Sequence, residues 1–377
     1  MKTAKLIMAL FVLSAASLYV YAGDNSEVTK TFKVNKGGQL KVEIMSGDIN
    51  IHTWNRNEVT VKVDGVDEED RNLLNISQSG NTISVDFKGS GSWGNNDVEI
   101  SVPEEFNLNL NTNSGDVNVN NNVTGTVQAY SAGGDISLKD VKGKTNVKTN
   151  GGDINTGNIS GDLRLSTNGG DVEVGNITGV GVVRTMGGSI NINNVSKDLD
   201  AKTFGGDIDL GSVGGNAKVS TLGGSISAGK IGGSADVHTN GGNIKLSGAN
   251  GYTKAKTLGG NISLYNISGN IDASTASGDV YAELKPSGSG KTNISTLSGR
   301  IKLLIDPNAK ATIHANVKMG GSEEDHEKMI ESDFPAQNYE KEKYGVEVNA
   351  TYLINGGGDM INLSTINDKI IIRKLSK

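Results

Sequence analysis

A Gly followed by Asp, Ser or Asn and then Ile or Val recurs with its glycine at Gly134, Gly152, Gly170, Gly188, Gly206, Gly224, Gly242, Gly260 and Gly278, every step being 18 residues. A fixed period of this kind marks a chain that folds as stacked copies of one supersecondary unit. Imperfect copies extend the series, with Gly47-Asp48-Ile49 and Gly115-Asp116-Val117 before it and Gly299-Arg300-Ile301 after it. Within the unit that starts at Gly152, Leu163, Leu165 and Thr167 alternate with Asp162, Arg164 and Ser166. That period of two belongs to a strand with one buried face. The glycine pair then marks the corner, where a residue free to take positive φ is expected.

The predicted fold is all-β, a single-stacked parallel β-solenoid (β-helix) with 18-residue coils. The right-handed path is the default for parallel crossovers. Ile190, Ile192, Val195, Leu199 and Ala201 repeat as Ile208, Leu210, Val213, Ala217 and Val219, and should point inward and stack. A left-handed hexapeptide helix would need an apolar residue at every sixth position. The steps from Ile154 through Ile159, Leu163, Leu165 and Thr167 do not follow that rule, which disfavours the hexapeptide helix but leaves an irregular three-sided section open. With hydrophobic residues at 35%, aromatics at 5% and 52 glycines, the 377-residue chain is poor in material for a globular core. A narrow apolar column running the length of an array needs less of it.

Thr149, Thr167, Thr185, Thr203, Thr221, Thr239, Thr257 and Thr275 form a second column at the same spacing. Parity places these residues inward, with the methyl packed and the hydroxyl available to the stack or to the corner backbone. An outward ridge that binds ice-like or saccharide surfaces is the functional alternative.

Lys2, Lys5, the apolar run from Leu6 to Val20 and Val20-Tyr21-Ala22 read as a secretory signal cleaved after residue 22. No later stretch is long and apolar enough to span a membrane. Residues 23–110 read as an N-terminal β region that caps the array, with strands at Phe32 to Val34, Leu40 to Ile44, Val59 to Val63, Ile83 to Phe87 and Val98 to Val102, and a polar loop from Gly89 to Asn96. The solenoid runs over 111–305. Residues 306–377 form a C-terminal cap, in which Ser322 and the acidic Glu323, Glu324 and Asp325 open a short helix ending before Pro335, ahead of closing strands. The chain has no cysteine, so neither disulfides nor a lipidated cysteine arise. The net charge of -6 argues against a nucleic-acid partner.

In order along the chain, Phe32-x-Val34, Gly37-Gly38-x-Leu40, Ser46-Gly47-Asp48-Ile49, Glu58-Val59-Thr60-Val61, Val98-Glu99-Ile100-Ser101-Val102-Pro103, the Gly-Gly-Asp-Ile units and Leu363-Ser364-Thr365-Ile366-Asn367-Asp368-Lys369-Ile370 resemble the bacterial putative-adhesin family of β-strand-repeat proteins, a domain of unknown function. The resemblance covers nearly the whole mature chain, except that Ser322 to Tyr344 stands as an insertion. It implies an envelope-associated β-solenoid without known catalysis and supplies no catalytic residues.

The residues themselves offer little chemistry. Asp116, Asp135, Asp153, Asp171, Asp207 and Asp279 form a column suggestive of calcium. Its spacing is not that of calcium-binding nonapeptide rolls, and Ser189, Ser225, Asn243 and Asn261 stand at equivalent places. Turn capping by short polar side chains explains the column better than a cation does. His52, His238, His314 and His326 are single, without a partner at ligand spacing. Asn-Ile-Ser-Gly and Asn-Val-Thr-Gly at Asn158 and Asn122 match glycosylation acceptors, but their recurrence marks another turn of each coil. No catalytic, metal or cofactor-binding residue is assigned.

The functional expectation is therefore an exported cell-envelope or surface structural or binding protein, adhesin-like and not an enzyme. It would reside in the periplasm, on the surface or outside the cell, and contact a cell-surface glycan, a protein or another copy of itself. The alternatives are a periplasmic envelope-stress accessory protein and a polysaccharide-acting lyase or hydrolase. Such enzymes interrupt a repeat locally, yet neither Lys197-Asp198-Leu199-Asp200 nor Lys285 to Gly290 is expected to join two carboxylates to an aromatic platform. A candidate contact surface lies in the column just after each threonine: Asn150, Asn168, Met186, Phe204, Leu222, Asn240, Leu258, Ala276 and Leu297. By parity Met186, Phe204, Leu222, Leu258 and Leu297 form an exposed apolar stripe. Otherwise the corner turns them inward, or the segment from Asp306 to Tyr344 lies over them.

Overall fold

Leu163 and Leu165 are buried while Arg164 between them is exposed, and the same alternation repeats in strand after strand. The computed structural model describes residues 27–66, 68–89, 97–286, 290–319, 329–342 and 347–376. The expected signal segment, His326 and most of the polar loop at 89–96 lie outside them.

The alternating strands stack in parallel. In one sheet, of 17 strands, Ile136 pairs with Ile154, Ile154 with Val172, Val172 with Ile190 and Ile190 with Ile208. In a second sheet Val147 pairs with Leu165, Leu165 with Val183, Val183 with Ala201 and Ala201 with Val219. A third, narrower face consists of single bridges from Val141 to Ile159, Ile177, Val195, Val213 and Ile231. The section is thus three-faced, and one apolar column runs inside it. Ile154, Ile159, Leu163 and Leu165 represent that column in one coil, each at most 2% exposed. The second sheet stays open, because Leu74–Ser79 at one end and Asn338–Lys341 at the other each pair along one edge among the described residues.

Coils do not stack in chain order at the ends. The coil containing Gly38–Ile44 and Ile49–Trp54 lies between 82–103 and 106–119, with Leu40 pairing Ile83 on one side and Leu108 on the other. At the opposite end Asp359–Ile366 slots between Lys291–Ser298 and Ala311–Lys318, and Ile370–Lys374 between Ile301–Ile305 and Ile330–Ser332. Antiparallel pairs flank both inserted coils, Val28–Lys33 against Glu58–Val63 and Ala311–Lys318 against Glu347–Ile354. The expected C-terminal helix is corrected where it can be seen, since Ile330–Ser332 is a strand drawn into the sheet by Ile370. Residues 322–328 of that segment lie outside the described residues.

Polar side chains stitch the corners. Asp135 Oδ1 accepts the backbone N–H of Asp153, Asp153 that of Asp171 and Asp171 that of Ser189, each at 2.7 Å. Ser189 and Ser225 do the same with Oγ, for Asp207 and Asn243. A hydroxyl serves as well as a carboxylate here, which is why the column tolerates Ser and Asn. A second such ladder joins Asp140 to Asn158 and Asn158 to Asn176, and a third joins Asp162 to Val180 and Asp198 to Asn216.

The threonine column is internal, which rules out the outward-ridge reading. Thr185 Oγ1 donates to the carbonyl of Gly170 in the preceding coil at 2.9 Å and accepts from the N–H of Gly188 at 3.3 Å. Thr185→Val keeps the shape and strands both backbone groups. Such a loss should cost about 1–3 kcal/mol, and Thr185→Ser distinctly less, as read from urea denaturation. The reason for the glycine pairs also differs from expectation. Left-handed φ occurs at Gly115, Gly278 and Gly299 but not at the paired glycines Gly134, Gly152, Gly170, Gly188, Gly206, Gly224, Gly242 and Gly260. There the requirement is close approach: a Cβ on Gly188 would sit 2.1 Å from the carbonyl oxygen of Gly170.

Candidate contact surface

Each threonine of the column lies at or within two residues of the end of a second-sheet strand, and the residue after it stands at the corner. Met186 is 49% exposed, Phe204 41%, Leu222 46%, Leu258 58% and Leu297 60%. The corner therefore does not turn these residues inward, and the described part of 306–344 does not hide them. One edge of that segment does reach the stripe, as Lys318 lines a groove of about 380 Å³ with Leu258, Leu297 and Ile366. Among the polar members, Asn168 Nδ2 donates to Asn150 Oδ1 at 3.4 Å, and Asn150 Nδ2 to the Tyr130 hydroxyl at 3.3 Å. The ammonium of Lys202 lies 4.8 Å from the Phe204 ring centroid, a cation–π contact that holds the ring against the surface.

Two residues belong with this surface that the strict period did not include. Met45, 49% exposed, neighbours Asn113 at the N-terminal end of the column. Ile366 adjoins Leu297 at the other end. The signal for Ile366 was present in the sequence, because Ser364-Thr365-Ile366 repeats the pattern of Ser295-Thr296-Leu297 and Ser220-Thr221-Leu222.

The histidines stay apart. His52 Nε2 is 3.6 Å from Glu99 Oε1, His314 Nδ1 is 3.3 Å from Thr351 Oγ1, and His238 faces outward on the second sheet. No group of three or more His, Asp or Glu at metal-binding distance occurs among the described residues. No helix among the described residues is long and apolar enough to cross a membrane.

Around Lys197 to Asp200 the structure adds neighbours from other coils. Asp198 and Asp200 line one groove of about 750 Å³ on the second sheet with Asp236, Asp272 and Tyr252. The carboxylates come from different coils, so inspection within a single unit could not assemble them. Lys285 stands instead with Lys230 beside a polar hollow of about 310 Å³.

A family model, Toastrack DUF4097, matches residues 37–230 and again 196–354. The chain belongs to the Toastrack DUF4097 family. The Toastrack match spans both sheets and the inserted N-terminal coil. No curated protein is significantly similar to this Toastrack chain. Solved structures that it resembles include a "putative adhesin" from Bacteroides fragilis NCTC 9343, with 14% identity over 69% of this chain and 98% of that one at a TM-score of 0.32. A "putative adhesin" from Parabacteroides merdae ATCC 43184 shows 15% identity over 66% and 96% at 0.33. One from Parabacteroides distasonis ATCC 8503 shows 17% over 69% and 98% at 0.29.

Proposed function

We propose that the protein is an exported, non-catalytic binding protein of the cell envelope or surface, and that the stripe formed by Met186, Phe204, Leu222, Leu258 and Leu297 is its contact surface for another protein, a second copy included. In this reading residues 1–22 direct export. The array at 111–305, wound right-handed in 18-residue coils, carries the stripe. Residues 23–110 and 306–377 close its ends, a role to which their antiparallel pairs are suited because they interrupt the parallel template.

The observation that carries the proposal is the exposure of five large apolar side chains in one column on a rigid sheet, where Asn150, Asn168 and Asn240 demonstrate that a polar residue fits equally well. Apolar side chains kept in water where the fold does not need them mark an interaction surface. The test is the double variant Phe204→Asn, Leu222→Asn. Its stability should stay within about 1 kcal/mol of the parent, while concentration-dependent association in sedimentation velocity, or attachment of protein-coated beads to bacterial cells, is lost. Undiminished association and attachment would remove the stripe from the function, and a loss of several kcal/mol would make it core.

A further inference from the structure

The groove beside Tyr252 shows a chemical order that the stripe lacks. One outward column of the second sheet reads Asp200, Lys218, Asp236, Lys254, Asp272 in successive strands, acceptor and donor in alternation. Strands in a sheet lie about 4.8 Å apart, so this order extends for about 20 Å along the groove. The inward positions bordering it hold Gly181, Leu199, Ala217 and Ala235. Tyr252 stands in the adjoining corner column, 47% exposed. Burial of its hydroxyl, and next the carboxylate of Asp272, push its pKa up, so it remains a protonated donor at neutral pH.

The Arg184 guanidinium holds Asp200, whereas the pairs made by Asp236 and Asp272 are partly open to solvent. Lys254 Nζ lies 3.8 Å from Asp236, with the two side chains 41% and 47% exposed, and Lys256 lies 3.0 Å from Asp272. Exposed pairs of this kind contribute about 0–1 kcal/mol, so a ligand can part them at small cost. A carboxylate only accepts and an ammonium only donates. A hydroxyl does both, so one hydroxyl placed between neighbours in this column satisfies each. Four carboxylates face three ammonium groups along the groove, Lys218, Lys254 and Lys256, and the Arg184 guanidinium on Asp200. That balance offers no net attraction to a polyanion or a polycation. We infer that this groove is a binding site for a neutral, polyhydroxylated chain, an oligosaccharide lying along the solenoid axis with a sugar ring against Tyr252.

Because the groove and the stripe share no residue, the two proposals stand or fall separately. Cellohexaose, maltohexaose and chitohexaose, titrated by calorimetry and followed by saturation-transfer NMR, are the probes. At least one should bind, with little change between about 50 and 500 mM salt, where charge-driven binding would be screened. Tyr252→Ala should weaken binding about tenfold or more, the loss typical of an anchoring aromatic. Tyr252→Phe should retain part of it, and the Phe204→Asn, Leu222→Asn variant all of it. Failure of every probe to bind at millimolar concentration would overturn the inference. So would binding that survives Tyr252→Ala, or preference for an acidic polymer with steep salt dependence.

Discussion

Gly188→Ala is expected to cost about 3 kcal/mol or more, near the upper end for overpacking, and to lower the melting temperature far more than any surface change. The added Cβ would lie 2.1 Å from the carbonyl oxygen of Gly170, and both atoms belong to backbone held in the stack. No rotamer change can relieve that contact, so the coils must part. Parting them lengthens the bonds by which Thr185 ties Gly170 to Gly188. Gly133→Ala is the control: its nearest foreign atom is 3.8 Å away, and the change should stay within about 0.5 kcal/mol. Thermal and urea melts of the two variants decide the matter. Equal stability would mean that the stack yields locally and that close approach is not what glycine supplies.

Deletion of residues 359–377 should be more damaging. This stretch forms a coil slotted between the last regular coil and the terminal hairpin, so its loss unpairs strands on both sides of both sheets. Ile361, Leu363, Ile370 and Ile372 are all buried. At about 1.5–3 kcal/mol for each such side chain, burial worth about 6–12 kcal/mol goes with them, as much as the whole net stability of many domains. The truncated chain is expected in the insoluble fraction, or soluble with a melting transition lowered by tens of degrees. Removal of residues 376–377 alone should change neither. A well-folded truncated chain would mean that the hairpin can close directly onto the coil at 291–305.

How much of this was legible in the sequence depends on whether the information was periodic. Leu163, Leu165 and Thr167 announced their buried face through alternation, and the threonines announced their column through a constant step. The order of coils at the ends was not legible, because a period says which residues are equivalent but not which coil is the neighbour. Leu40 sits on Leu108, and Ile294 on Leu363, across excursions that no spacing encodes. The strand at Ile330 was misjudged because acidic residues after Ser322 look like a helix start, whereas pairing with Ile370 is a tertiary matter. The groove was missed for a related reason. Asp200, Asp236, Asp272 and Tyr252 are far apart in the chain, and only stacking makes them neighbours. The stripe could be listed residue by residue, but its exposure depended on which way the corner turned.

The corner ladders have a consequence for how such a chain can change over generations. Each coil meets its neighbour below with the same donors that it finds satisfied above, through Asp153 to Asp171 as through Asp135 to Asp153. Loss or duplication of one whole repeat in the middle would therefore rejoin like to like, with every corner bond re-formed, and displace the two ends by about 4.8 Å. Length becomes a property that inheritance can adjust in small, equal increments without redesigning any contact. A surface protein that must span a gap to its target could be matched to that gap by counting repeats.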